Sequence, residues 1–262
     1  MTDAPAARWR ILTTPPTSGA ENMALDEALM SRARESGEWV MRVYGWSSPT
    51  ISLGRNQTAR GRYDLDRIRA RRLGVVRRPT GGRAILHDRE ITYSVTAPVA
   101  GAGDLRQSYE RINRLLLAAL RDLGVDARVA DRAKRAAGPG MAPCFDEPSE
   151  GELVTGGRKL AGSAQWRVDG ALLQHGSILV EDDQTALADL TVEPQRAVPP
   201  PATLAEALGR RPATSDVAAA LAGAVRALED PDAAELTIDE KLRARTSALV
   251  VRYLDDAWTW RQ

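Results

Sequence analysis

The chain has 262 residues, 43% hydrophobic and 27% charged, with a formal net charge of +1, ordinary values for a globular protein with one large core. So balanced a charge excludes recruitment of nucleic acid or anionic membrane by an overall field, and no run approaches the roughly 18 apolar residues that cross a bilayer. A single cysteine excludes an internal disulfide, and with no apolar secretory core in Met1 to Arg10 the expected location is cytoplasmic.

In chain order, Trp9 to Thr13 reads as a short strand and Glu21 to Arg34 as a helix, with Met23, Leu25, Ala28 and Leu29 on an apolar face. Trp39 to Tyr44 and Thr50 to Leu53 read as strands separated by Gly45, Ser47, Ser48 and Pro49. A short helix over Asp64 to Arg72 ends before Gly74, and Val75 to Arg78 resumes as a strand. The glycine turn Pro79-Thr80-Gly81-Gly82 precedes two strand-like stretches, Ala84 to His87 and Ile91 to Thr96, with a bend at Asp88-Arg89-Glu90. An amphipathic helix follows over Asp104 to Leu123, burying Ile112, Leu115, Leu116, Ala119 and Leu120. Residues 131–143 are rich in Ala, Gly and charge and read as a loop leading to Cys144. Glu152 to Val180 reads as a strand meander turning at Gly156-Gly157 and Asp169-Gly170, the latter a strong hairpin signal.

Beyond Pro194 the chain is punctuated by Pro199, Pro200 and Pro201, and helices are expected over Ser215 to Leu228 and Ile238 to Leu254. The division implied is a catalytic domain over 1–200 and a helical C-terminal extension over 201–262 packed on it, too small for a core of its own. The fold class is α+β, a central mainly antiparallel or mixed sheet flanked by helices rather than a βαβ repeat.

Three groups of residues suit chemistry. Cys144 follows Pro143 at a loop end and precedes Phe145-Asp146-Glu147-Pro148, a setting unlike a core strand. A lone cysteine is commonly a small buried hydrophobe, but a loop thiol is accessible to electrophiles. Lys159 stands out because Lys134, Lys159 and Lys241 are the only lysines in an otherwise arginine-based chain. The plain alternative is a solvated lysine at a strand edge. Beside a thiol, an ammonium lowers the thiol pKa and stabilises an oxyanion. Gly162, Ser163 and Ala164 beyond it would let a ligand pass close to the backbone.

The third group is Arg77 to Asp88 (RRPTGGRAILHD), where Arg77, Gly81, Gly82 and His87 could meet an anionic or carbonyl ligand. A bare hairpin is the alternative, and the absence of Gly-Lys-Ser/Thr excludes a P-loop. His87 and His175 are the only histidines. Each is a candidate for the site or for a structural hydrogen bond, and so few ligands make a metal site implausible.

At these residues the sequence resembles the lipoate-protein ligase and octanoyltransferase family, related in fold to biotin protein ligases. The likeness runs through Asn22 to Leu29 (NMALDEAL), Leu53 to Gln57 (LGRNQ), Arg77 to Ser94 (RRPTGGRAILHDREITYS), Lys159 to Gln165 (KLAGSAQ), Gln174 to Leu179 (QHGSIL) and Asp256 to Arg261 (DAWTWR). Thr80-Gly81-Gly82-Arg83 departs from the three-glycine form common in ATP-dependent ligases. Cys144-Phe145 and Gly157-Arg158-Lys159 resemble the nucleophile and lysine of the octanoyltransferase branch, whereas residues 131–143 show no clear family pattern.

The resemblance implies a biotin/lipoyl ligase-like catalytic domain that moves octanoyl from acyl carrier protein to a carrier lysine through a Cys144 thioester, with Lys159 as electrostatic partner. The acceptor implied is a lipoyl-carrier domain, either the glycine cleavage H protein or a 2-oxoacid dehydrogenase E2 subunit. Substrate-binding residues are expected at Arg77, Gly81, Gly82, His87, Gly162, Ser163, Ala164 and His175, with no metal, no organic cofactor, no nucleic acid and no membrane involved. The alternatives are an ATP-dependent lipoate ligase, an amidotransferase moving acyl groups between carriers, and a non-catalytic carrier-binding relative.

Overall fold

The computed structural model describes residues 7–100, 102–130, 151–193 and 199–261. The chain opens with β1 (Trp9–Thr13), then α1 (Gly19–Ser36). α1 begins two residues before the hydrophobic pattern because Ser18 caps it reciprocally with Glu21, and Gly37 closes it with φ 72°. Next come β2 (Trp39–Tyr44), β3 (Thr50–Leu53), α2 (Leu65–Ala70), β4 (Gly74–Arg77), β5 (Ile85–His87) and β6 (Glu90–Pro98). α3 (Leu105–Asp122) starts from an Asp104–Gln107 capping box and buries the five apolar residues its spacing predicts.

The second half contributes β7 (Arg128–Val129), β8 (Leu153–Thr155), β9 (Arg158–Val168) and β10 (Ala171–Leu179). A 3-10 helix (Gln184–Leu190), α4 (Leu204–Leu208), α5 (Thr214–Leu228), β11 (Ala234–Glu235), α6 (Glu240–Leu254) and α7 (Asp256–Thr259) complete it.

Among the described residues, eight strands form one mixed sheet in the order β11-β1-β2-β6-β10-β9-β8-β7. β11, β1 and β2 run parallel and the remaining pairs are antiparallel. This is the expected α+β class, with the Asp169-Gly170 hairpin joining β9 to β10. β11 was not foreseen: two residues between helices show no alternation to read, and pairing with Arg10 and Ile11 alone makes them a strand.

The central strands β2, β6 and β10 are buried on both faces. On one, Trp9, Trp39, Met41, Tyr93 and Val95 pack against Ile112 and Leu116 of α3 and Leu221 and Val225 of α5. On the other, Leu12 and Val40 pack against Leu25 and Leu29 of α1 and Leu242 of α6. Because successive strand residues point to opposite faces, Arg42 shares the α1 face with Val40, where it is fully buried. A charge there must be paired, and Asp26 of α1 supplies the partner.

A second sheet of β4-β3-β5 stands beside the first. β4 and β5, which flank the glycine turn, both pair with β3 rather than with each other. The turn is therefore a connection across a strand and not a hairpin. No helix among the described residues is long and apolar enough to cross a membrane.

Candidate active site

A cavity of about 480 Å³ lies where the glycine connection meets the middle of β9 and β10. Its wall includes Gly81, Gly82, His87, Gly162, Ser163, Ala164 and His175, so seven residues singled out in the sequence converge there. Ser163 and Ala164 sit opposite Gly176 and His175 in the β9–β10 pairing, which brings these small residues together with the imidazole. Met23, Trp46, Ile85 and Tyr109 add apolar surface.

Arg78 holds the glycine connection over the cavity. Its guanidinium donates to the carbonyls of Gly81 (Nη2, 2.8 Å), Arg83 (2.8 Å) and Ser52 (3.0 Å), and to Ser52 Oγ (3.0 Å). Gly82 takes φ 93°, and the carbonyl of Gly82 lies 1.9 Å from where a Cβ on Gly54 would stand. Glycine at both places permits the approach. Arg77 does not line the cavity. Its guanidinium is buried on the opposite side, donating to the carbonyls of Gly54, Gln57, Thr259 and Arg261 and thereby tying the C-terminal turn to the β3 end. Adjacent strand residues alternate in direction, and the sequence holds no signal for which of two consecutive arginines faces the cavity.

His175 is buried and bonded at both nitrogens, with Nε2 2.6 Å from Thr80 Oγ1 and Nδ1 3.3 Å from Asp26 Oδ2. Asp26 also accepts from Arg42 (2.7 Å), Ser94 (2.8 Å) and Tyr44 (3.0 Å). Burial pushes the Asp26 carboxyl up, but the Arg42 charge, together with His175 and Ser94, outweighs it and holds the group below the usual carboxylate range. The signal for Asp26 was available: an acidic residue set within the apolar stripe of α1, three positions from Met23 and from Leu29.

His87 is built on the same plan. Nδ1 lies 3.0 Å from Glu90 Oε1, Nε2 lies 2.8 Å from Ser52 Oγ, and the ring stacks on Trp46 at 3.9 Å. Burial lowers its pKa and outweighs the opposing pull of Glu90, which favours the neutral ring. On β9, Ser163 Oγ meets Tyr93 Oη at 2.6 Å, and burial pushes that phenol up to about 12, so it stays neutral.

Lys159 lies on β9 with a buried side chain, and its Nζ donates to Glu152 Oε1 at 2.6 Å. Glu152 lines the cavity, so the Lys159 ammonium is one carboxylate away from it. The β8–β9 pairing carries a register shift at Leu153/Val154, opposite Lys159 to Ala161. Cys144 lies outside the described residues. Among the described residues, no three His, Cys, Asp or Glu side chains are grouped to hold a metal ion.

Residues 18–226 match the lipoyl protein ligase A/B catalytic domain, and the chain belongs to that family. It is 40% identical to octanoyltransferase LipM of Kyrpidia tusciae, over 97% of this chain and 99% of that protein. To octanoyltransferase LipM of Symbiobacterium thermophilum it is 42% identical, over 97% and 98% of the two chains. To that of Bacillus subtilis it is 41% identical, over 72% of each.

The fold also matches solved structures. One is a lipoate-protein ligase A bound with ATP, at TM-score 0.79 and 24% identity over 97% of this chain and 98% of that one. Another is a bi-partite lipoate protein ligase from Thermoplasma acidophilum, at TM-score 0.76 and 23% identity over 97% and 96%.

Proposed function

We propose that the protein transfers an octanoyl group from octanoyl-acyl carrier protein to a specific lysine of a lipoyl-carrier domain, through a thioester on Cys144. It is an acyltransferase. The observation that carries the reading is 40% identity to an octanoyltransferase over nearly the whole of both chains. The cavity of about 480 Å³, with apolar side chains and small strand residues in its wall, suits an eight-carbon chain. The glycine cleavage H protein and the E2 subunits of 2-oxoacid dehydrogenases are the acceptor candidates, and a lipoate ligase of the same fold has been studied with an E2 lipoyl domain.

In this mechanism the Cys144 thiolate adds to the thioester carbonyl, the tetrahedral oxyanion collapses, and the carrier leaves as its thiolate, which takes a proton from solvent. The acceptor lysine, as a neutral amine, then attacks octanoyl-Cys144. The amide forms, Cys144 leaves as the thiolate, and the amine proton passes to solvent. Thioester to thioester is nearly balanced and thioester to amide is downhill, so no nucleotide is consumed. Lys159 is assigned the electrostatic part, holding the thiolate charged and stabilising the oxyanion. Its buried pairing with Glu152 fits that part, because a positioned ammonium in a dry setting acts without prior reorganisation.

The test is mass spectrometry after mixing the protein with octanoyl-acyl carrier protein. An octanoyl adduct on Cys144 that transfers to a lipoyl-carrier domain without ATP is the expected result. Activity that survives Cys144→Ala and needs ATP with free acid would identify a ligase. Transfer only from an octanoylated lipoyl carrier would identify an amidotransferase.

A further inference from the structure

We propose that Asp26 and Glu90 are positioning residues that act through the two histidines: each fixes an imidazole as its Nδ1–H tautomer so that Nε2 accepts a hydroxyl proton and clamps the glycine connection over the acyl cavity. The two arrangements are parallel and use every histidine in the chain. One runs from Asp26 to His175 to Thr80, at 3.3 and 2.6 Å, and the other from Glu90 to His87 to Ser52, at 3.0 and 2.8 Å. They come from different elements, α1 with β10 in one case and the β5–β6 bend with β3 in the other. The first ends on the segment that roofs the cavity, and the second reaches that segment through Arg78. Thr80 belongs to it, and Ser52 accepts from Arg78, which grips the carbonyls of Gly81 and Arg83.

The proton directions follow from what each atom can do. A carboxylate only accepts, so the nitrogen facing it carries hydrogen. Ser52 Oγ already accepts from Arg78 Nη1, and its one proton is directed at His87 Nε2. Thr80 is fully buried, and His175 Nε2 is the acceptor in reach of its hydroxyl. With the opposite tautomer, each carboxylate would face a ring lone pair, a repulsive contact in a dry site. The Asp26 carboxylate is further secured by Arg42, so the His175 chain starts from a fixed negative charge.

The tautomers are read by long-range 1H–15N correlation on uniformly 15N-labelled protein, where two histidines give two resolvable ring patterns and no turnover is needed. Nδ1 protonated and Nε2 bare in both rings is the expected result, and an Nε2–H pattern in either ring overturns the proposal. Glu90→Leu removes the acceptor facing His87 Nδ1 and should change the His87 pattern while leaving His175 untouched; an unchanged His87 pattern is a refutation.

The kinetic arm rests on the proposed octanoyl transfer. Thr80→Val keeps shape and the Asp26–Arg42 pair but removes the hydroxyl, and should lower kcat on the order of tenfold or more at little change in KM. Thr80→Ser should recover most of the loss. Wild-type kcat in Thr80→Val removes the positioning role. If the unmodified protein shows no octanoyl transfer, it is the proposed reaction that fails, and the ring patterns still decide the tautomers.

Discussion

Gly176→Ala is the sharpest structural test. Gly176 sits in the middle of β10, opposite Tyr93 of β6 on one side and Ser163 of β9 on the other. An added Cβ would stand 2.4 Å from the Gly162 carbonyl oxygen, 2.7 Å from Ser163 Oγ and 2.8 Å from Tyr93 Cε1. Comfortable contacts between such atoms are about 3.5 Å. The squeeze comes from both neighbouring strands, so moving β10 away from one drives it into the other. Overpacking of a core position costs about 1–3 kcal/mol.

One obstacle here is backbone and cannot rotate away, which places the expected cost near the top of that range. A loss of about 3 kcal/mol lowers Tm by about 6–12 °C in a chain of this size. Ser163 is the group able to yield, and its rotation breaks the 2.6 Å contact with Tyr93 at the cavity wall. Octanoyl transfer is therefore expected to fall by on the order of tenfold or more in kcat/KM. Calorimetry and steady-state transfer assays measure the two effects. A variant that melts within about 2 °C of wild type with unchanged kinetics would show that the strands part freely and that the reasoning is wrong.

Arg42→Met should cost about 3–5 kcal/mol, because it leaves the Asp26 carboxylate buried without its partner. Asp26 is held below its unfolded value, so its contribution to stability is complete above about pH 4 and disappears as pH falls through the folded value. The gap between wild type and variant should then widen as pH rises out of the acid range; melts showing a constant gap would contradict this. Lys159→Met should raise the Cys144 pKa and slow its acylation, measured as the pH profile of thiol alkylation. An unchanged profile would end the proposed role of Lys159. Burial pushes Asp183 up to about 6 even though it accepts from the Arg89 amide, so this group favours folding most when protonated. Its contribution declines as pH rises from about 4 to about 6, by about 3 kcal/mol, and is flat above. Asp183→Asn should remove that decline, and thermal melts across the window will show whether it does.

The chemistry-bearing segments were legible because their residue types are costly anywhere else. Glycines, isolated histidines and a rare lysine mark places where backbone approach or buried hydrogen bonding occurs, and singling out Gly81, His87, Ser163 and His175 needed no coordinates. Strand edges were also readable where turn chemistry was strong, as at Asp169-Gly170. Less visible were residues whose role depends on direction. Arg77 and Arg78 are chemically identical neighbours, and alternation along β4 and its exit sends one to the C-terminal turn and the other to the cavity roof. Glu152 looked like the start of a strand and proved to be the carboxylate on Lys159.

What the sequence determined by itself is the set of elements and the kinds of atoms at the site: helix caps, strand alternation and glycine placement are local properties, carried by neighbours within a few residues. Only the tertiary structure decided which atoms meet. Asp26 and His175 are 149 residues apart and Thr80 and His175 are 95 apart, yet each pair is in hydrogen-bond reach. Such meetings depend on strand order and on which face of a buried sheet each side chain takes, and both are set by the packing of α1 and the small sheet against β6 and β10 rather than by any stretch of chain alone.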